Sequence, residues 1–213
     1  MNFEYLCPVD ESLLVYAKLQ INKTIGQCID IYTTQSEFPN LENKKIAIIG
    51  IEEDRGSVGN YGTGNNLDEV RKEFYKLYPG NWPINVADLG NIKKGNSIKD
   101  TYFALNSVLS SLLKIKIIPI IIGGGQDLTY ANYRAYDTLE QTVNLVSIDN
   151  KFDLGTINEE LNSQTFLSKI VMSQPCNLFN YSNIGFQTYL NSQDEIDLLE
   201  KLFFESHRLG EVT

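Results

Sequence analysis

Two carboxylates and an ammonium lie within five residues of one another in VSIDNKFDLG, Val146 to Gly155, where Asp149 and Asp153 bracket Lys151. Groups this close at the end of an apolar run can hold a metal, move a proton or form a structural ion cluster, and spacing alone favours the cluster. A second segment, IIIGGGQDLTY from Ile120 to Tyr130, carries Gly123, Gly124 and Gly125 ahead of Gln126 and Asp127. Three glycines permit positive φ or close backbone approach, so Gly123, Gly124, Gly125 and Asp127 form either a tight strand-to-helix turn or a ligand loop. A third loop follows Ile51 and places Gly56, Gly59, Gly62 and Gly64 before a helix. Its amides could cradle an anion. It matches neither the P-loop pattern nor a clean GxGxxG, so a flexible structural loop is the favoured reading over a nucleotide site. The fourth, Asp88-Leu-Gly-Asn91, reads as an ordinary turn with an Asx motif.

Histidine chemistry has little to work with, because His207 is the single histidine. It is read as late in the last helix beside Arg208, a solvated cation near a helix C-terminus. Ser206, adjacent to it, cannot complete a Ser/His/Asp triad. Cys7, Cys28 and Cys176 are odd in number and widely spaced, which suits reduced thiols rather than a disulfide framework or a CxxC site.

Positioning these groups requires elements, and from Lys45 onward short apolar runs alternate with helical patterns, the rhythm of repeated βα units on a parallel sheet. Strands are expected at 46–51, 84–89, 117–122, 143–148 and, more weakly, 182–186. Pro119 has no N–H for a ladder and is placed near the start of its strand. Leu67, Val70, Phe74 and Leu77 recur at helical spacing behind Asn66 as a cap. Ile98, Tyr102, Leu105, Leu109 and Leu112 do so behind Ser97, with Asp100 in the first turn. The last helix opens on a Ser192/Glu195 capping box and is expected to run through Ile196, Leu199 and Phe203. Residues 1–44 lack this rhythm beyond a short helix around Leu13 to Leu19. They read as an N-terminal extension packed on a domain spanning 45–213.

The chain has 213 residues, 42% apolar and 21% charged, enough for one globular α/β core. A net charge of −9 without a Lys/Arg block argues against nucleic acid and anionic membranes, leaving small molecules or proteins as partners. The acidic N-terminus is unlike a signal peptide, and no run approaches the ~20 apolar residues of a membrane span. A cytoplasmic protein is expected.

Taken in order, these loops resemble the ureohydrolase superfamily, which includes arginase, agmatinase and formimidoylglutamase, from about Lys45 to Gly210. Where that family typically reads Gly-Gly-Asp-His-Ser, this chain has Gly123-Gly124-Gly125-Gln126-Asp127. Where it reads Asp-Ala-His-x-Asp, this chain has Asp149-Asn150-Lys151-Phe152-Asp153. The strand-end Asp88-Leu-Gly-Asn91, the Val70-Arg71 pair and Asn183-Ile-Gly-Phe-Gln187 are also family-like. The resemblance implies an arginase-like three-layer, doubly wound, mostly parallel sheet. With only about five strand candidates and a last helix that should feed another strand, the C-terminal strands of such a sheet are expected to be missing. It further implies two Mn²⁺ ions held by two histidines and four aspartates, two of these in a later Asp-x-Asp motif, with a metal-bridging hydroxide attacking a guanidinium-type carbon.

Gln126 and Lys151 stand at the two histidine positions, and no Asp-x-Asp follows. Asp149 and Asp153 alone remain as metal ligands. Glutamine is a weak ligand and a protonated lysine has no lone pair. The expectation is therefore a degenerate site without a cofactor, in which Gln126 merely removes a ligand and Lys151 places its ammonium between two carboxylates. The chain reads as a catalytically impaired binding, regulatory or assembly module. The alternative is an active C–N hydrolase of linear amidines, formimidoylglutamase- or agmatinase-like, that takes manganese with ligands from a C-terminal part. Family members are usually trimers or hexamers, which leaves room for a homo-oligomer.

Overall fold

The computed structural model describes residues 3–21, 23–156 and 158–212. The chain divides into two compact units, Met1–Gly125 and Gln126–Thr213. In the first, β3 (Ile46–Ile51), β4 (Val86–Ile92) and β5 (Ile118–Ile122) run parallel in the order β4-β3-β5. The segment before residue 45 adds β1 (Leu6–Cys7), antiparallel to β4, and β2 (Asp30–Ile31), parallel to it. It also supplies α1 (Glu11–Lys18), capped by Asp10, and the one-turn α2 (Ile25–Cys28). β3 is buried on both faces, as a central parallel strand between helical layers must be. Leu13, Ala17, Ile48 and Tyr75 share one cluster on one face. α3 (Leu67–Tyr75) links β3 to β4, and α4 (Ile98–Lys114) links β4 back past β3 to β5, a reversal of direction that under the right-handed crossover rule puts the two helices on opposite faces. The Ser97/Asp100 capping box is formed at the start of α4, and Pro119 is the second residue of β5, opposite Ala47.

The face of α3 differs from its apolar spacing. Leu67, Arg71 and Tyr75 are its buried residues, while Val70 and Leu77 are exposed. Asn66 makes no side-chain cap and sits at φ 57°. The helix turns its charged Arg71 inward because a compensating acid lies beneath it. Arg71 Nε and Nη2 donate to the two carboxylate oxygens of Asp88 at 2.8 and 3.1 Å, and the Tyr75 hydroxyl and the Gly90 N–H donate to the same carboxylate. A bidentate, fully satisfied pair is the form in which a buried charge is tolerated.

In the second unit β6 (Val143–Ile148), β7 (Leu178–Phe186) and β8 (Glu205–Arg208) are parallel in that order. α5 (Leu128–Ala135), α6 (Phe166–Val171) and α7 (Gln193–Lys201) contribute Tyr133, Phe166, Ile170 and Leu199 to one core with Phe152, Tyr181 and Phe186. β7 begins four residues earlier than expected. The Ser192/Glu195 box caps α7, but the helix stops at Lys201, and Phe203 lies beyond it at φ 58°, exposed. Turning there lets the chain enter β8, so the strand expected to follow the last helix is present within 205–208. His207 is on this strand, paired with Ile184 and exposed, not in a helix. Ser206 and His207 therefore point to opposite faces, which removes any triad for a different reason than expected. Among the described residues no helix is long and apolar enough to cross a membrane.

Candidate functional site

Gln126, Asp149, Lys151 and Asp153 all belong to the second unit. Asp149 lies just past the end of β6, and its N–H donates to the Ile184 carbonyl of the neighbouring strand. The following loop is fixed from below by Phe152 and Leu154, both in the core. From the side, Asn183 Nδ2 donates to the Lys151 carbonyl at 3.1 Å, and the Phe152 N–H donates to Asn191 Oδ1 at 2.9 Å. Asn191 Nδ2 and the Gln187 N–H both donate to the Asn150 carbonyl. Asn191 has no place in the sequence reading, and Asn183 enters it only as part of NIGFQ. The only cue such residues offer in a sequence is their type, since short amide side chains commonly satisfy loop carbonyls.

Gln126 does more than vacate a ligand position. Its Nε2 donates to Asp149 Oδ2 at 2.6 Å, while the Lys151 N–H donates to Oδ1 at 3.1 Å. A carboxylate accepts only, so the amide nitrogen must face it, and both oxygens of Asp149 are engaged within the protein. The expected ammonium bridge is not formed. Among the described residues Lys151 Nζ makes no ion pair, and its contact with Asp149 is through its backbone. A half-exposed lysine keeps its head group hydrated rather than stripping it to enter a buried loop.

Asp153 is left without that counter-charge. It is 7% exposed and adopts φ 54°. Burial pushes its carboxyl up to about 7, the charge of Asp149 adds to this, and Lys151 opposes it without cancelling it. Glu195, at the start of α7, contributes a further like charge. Tyr181 is also raised, first by burial, and feels both aspartates.

The residues do not fit the two-manganese centre that the motifs imply. Two carboxylates remain, one has both oxygens occupied, and among the described residues no group of three or more His, Cys, Asp or Glu is arranged to hold a metal. In the first unit the glycine loops are likewise spoken for. The N–H groups of Gly124 and Gly125 donate to the carbonyls of Thr63 and Glu53. Gly123 has φ 78°, and a Cβ there would lie 2.0 Å from Leu67 Cδ2. In the Gly56–Gly64 loop, the Gly62 N–H donates to Asp54 at 2.7 Å, and Arg55 forks onto Glu53. Asp127 is buried at the start of α5.

The sequence model of the arginase family matches residues 44–212. The chain belongs to the arginase family. Among curated members, the formimidoylglutamase of Hahella chejuensis is 28% identical over 170 residues, covering 74% of this chain and 52% of that protein. The formimidoylglutamase of Streptococcus gordonii is 27% identical over 184 residues, 76% of this chain and 54% of that one. This arginase-family chain thus spans about half the length of the curated relatives it matches. Solved structures share its fold. The formiminoglutamase of Trypanosoma cruzi with Mn²⁺ aligns at TM-score 0.69 and 20% identity over 83% of this chain and 67% of that one. The formimidoylglutamase of Bacillus subtilis aligns at 0.73 and 16% over 91% and 63%. The α/β, mostly parallel, arginase-like architecture and the ureohydrolase membership expected from the motifs both stand.

Proposed function

We propose that this chain is a formimidoylglutamase-type member of the arginase family that does not by itself hold a two-manganese centre and serves as a binding, regulatory or assembly module. The observation that supports this most directly is the Gln126 amide seated on Asp149, which fills the position of one family ligand and engages another. Fold does not fix function, and the chemistry of this site is what has changed.

The test is metal loading followed by turnover. The purified protein is expected to carry no stoichiometric manganese by elemental analysis, and excess Mn²⁺ should leave its melting temperature unmoved. A ligand at roughly a hundred times its Kd would add about 2.7 kcal/mol, an easily seen shift. No formamide, urea or ammonia should be released from formiminoglutamate, arginine or agmatine. Stoichiometric manganese together with turnover lost on Asp149→Ala would overturn the proposal.

A second reading is favoured by the names of the relatives: an active hydrolase of linear amidines, with its remaining metal ligands on polypeptide outside this chain. Turnover with manganese in the presence of that polypeptide, absent without it, would establish this reading.

A further inference from the structure

We propose that a crevice in the first unit, at the carboxyl ends of β3 and β4, binds a small zwitterion of the amino-acid class, one carboxylate and one ammonium or amidinium group. The crevice encloses about 980 Å³, and Glu52, Asn65, Asn66, Asp68, Asn91 and Lys93 are among its lining residues. Glu52 directly follows β3 and Lys93 directly follows β4. The carboxyl ends of the strands are the side of an open α/β sheet on which ligands bind.

The charges of this crevice are not equivalent. Lys94 is taken by Asp54, Glu69 by Lys72, and Asp68 lies 3.6 Å from Arg71. Among the described residues Glu52 and Lys93 make no ion pair. One acid and one base are thus left uncompensated at neighbouring strand ends. Glu52 is also aimed from within. Asn91 Nδ2 donates to Glu52 Oε1 at 3.2 Å, and Asn91 Oδ1 accepts from Arg71 Nη1 at 2.7 Å. Arg71 is itself fixed on buried Asp88, so the orientation of the carboxylate is set by the core rather than by solvent.

This pairing of signs selects the ligand. A cationic end can pair with the second oxygen of Glu52, and an anionic end with Lys93. A dianion that paired with Lys93 would set its second charge against Glu52, and a dication that paired with Glu52 would set its second charge against Lys93. Side-chain amides of Asn65 and Asn66 add donors and acceptors for polar groups between the two ends. None of the residues around Asp149 takes part, so the proposal stands or falls separately from the metal question.

Isothermal titration of the intact chain with L-glutamine and L-arginine, with putrescine and glutarate as single-sign controls, tests it. Saturable binding of at least one amino acid is expected, weakened tenfold or more by Glu52→Gln and by Lys93→Gln. Glu52→Gln keeps an acceptor for Asn91, and matching melting temperatures show that both variants fold. Absence of saturable binding by either amino acid would overturn the proposal. So would controls that bind as tightly as the amino acids, or a Kd indifferent to both substitutions.

Discussion

Each unit buries an aspartate, Asp88 within the parallel strand β4 and Asp153 in the loop that follows β6, and the two are treated in opposite ways. Asp88 in the first unit receives a guanidinium fork, a phenol and a backbone N–H, four donors in all. Asp153 in the second has no such counter-charge, and burial drives it toward the neutral acid. Where a buried acid serves the fold, the sequence supplies its partners. Where a buried acid has no such partners, burial disfavours its charged form and the carboxyl takes up a proton.

The most severe way to break this contrast is to make Asp88 resemble Asp153. Arg71→Met leaves a buried carboxylate facing the sheet and should cost about 3–5 kcal/mol, read as a lowered denaturation midpoint. Adding Asp88→Leu should recover part of that loss. The converse is to make Asp153 neutral at all pH values. Its carboxyl is raised to about 7 in the folded chain, against about 3.9 in the unfolded one. The folded state therefore holds a proton that the unfolded state has lost, and stability should fall as pH rises from about 4 to 7 and level off above. Asp153→Asn should remove this slope and be more stable than the parent at pH 8, by on the order of 3 kcal/mol. Urea melts at pH 4, 6 and 8 measure both.

Between these lies Gln126→Leu, which strips Asp149 of its strongest donor. About 1.5 kcal/mol should be lost, and because Asp149 then becomes a less compensated neighbour, the midpoint of Asp153 should move upward. The smallest effect is expected from Glu195→Gln. Removing one like charge near Asp153 should lower its midpoint by a few tenths of a pH unit, visible in a carboxyl-carbon NMR titration.

Much of the frame was legible. β3 and β6 fall on 46–51 and 143–148, Ser97 caps α4 with Asp100 in its first turn, and the Ser192/Glu195 capping box forms. Caps and apolar runs are local signals, and local signals survive tertiary context. The face of α3 was not legible from hydrophobic spacing, because a helix that buries arginine does so for an acid seventeen residues away. β8 was missed because Glu205-Ser-His-Arg208 has no apolar alternation, and only the left-handed turn at Phe203 separates it from the helix before it. At the candidate site the motifs name the four residues but not the relations between them. Lys151 was given the bridging role by charge, whereas hydration keeps its ammonium out, and it is the uncharged Gln126 that reaches Asp149.

Gly50 carries one more consequence. A methyl group there would lie 2.1 Å from Asn91 Oδ1 and about as close as 2.9 Å to the Arg71 guanidinium. Positions 50, 71, 88 and 91 are thus coupled: a larger residue at 50 displaces Asn91 and the Arg71 guanidinium, and loss of Arg71 leaves Asp88 without its counter-charge. A change at one of the four is eased by a second beside it, as Asp88→Leu should ease Arg71→Met, so the floor beneath Glu52 resists single substitutions even though it contains nothing that reacts.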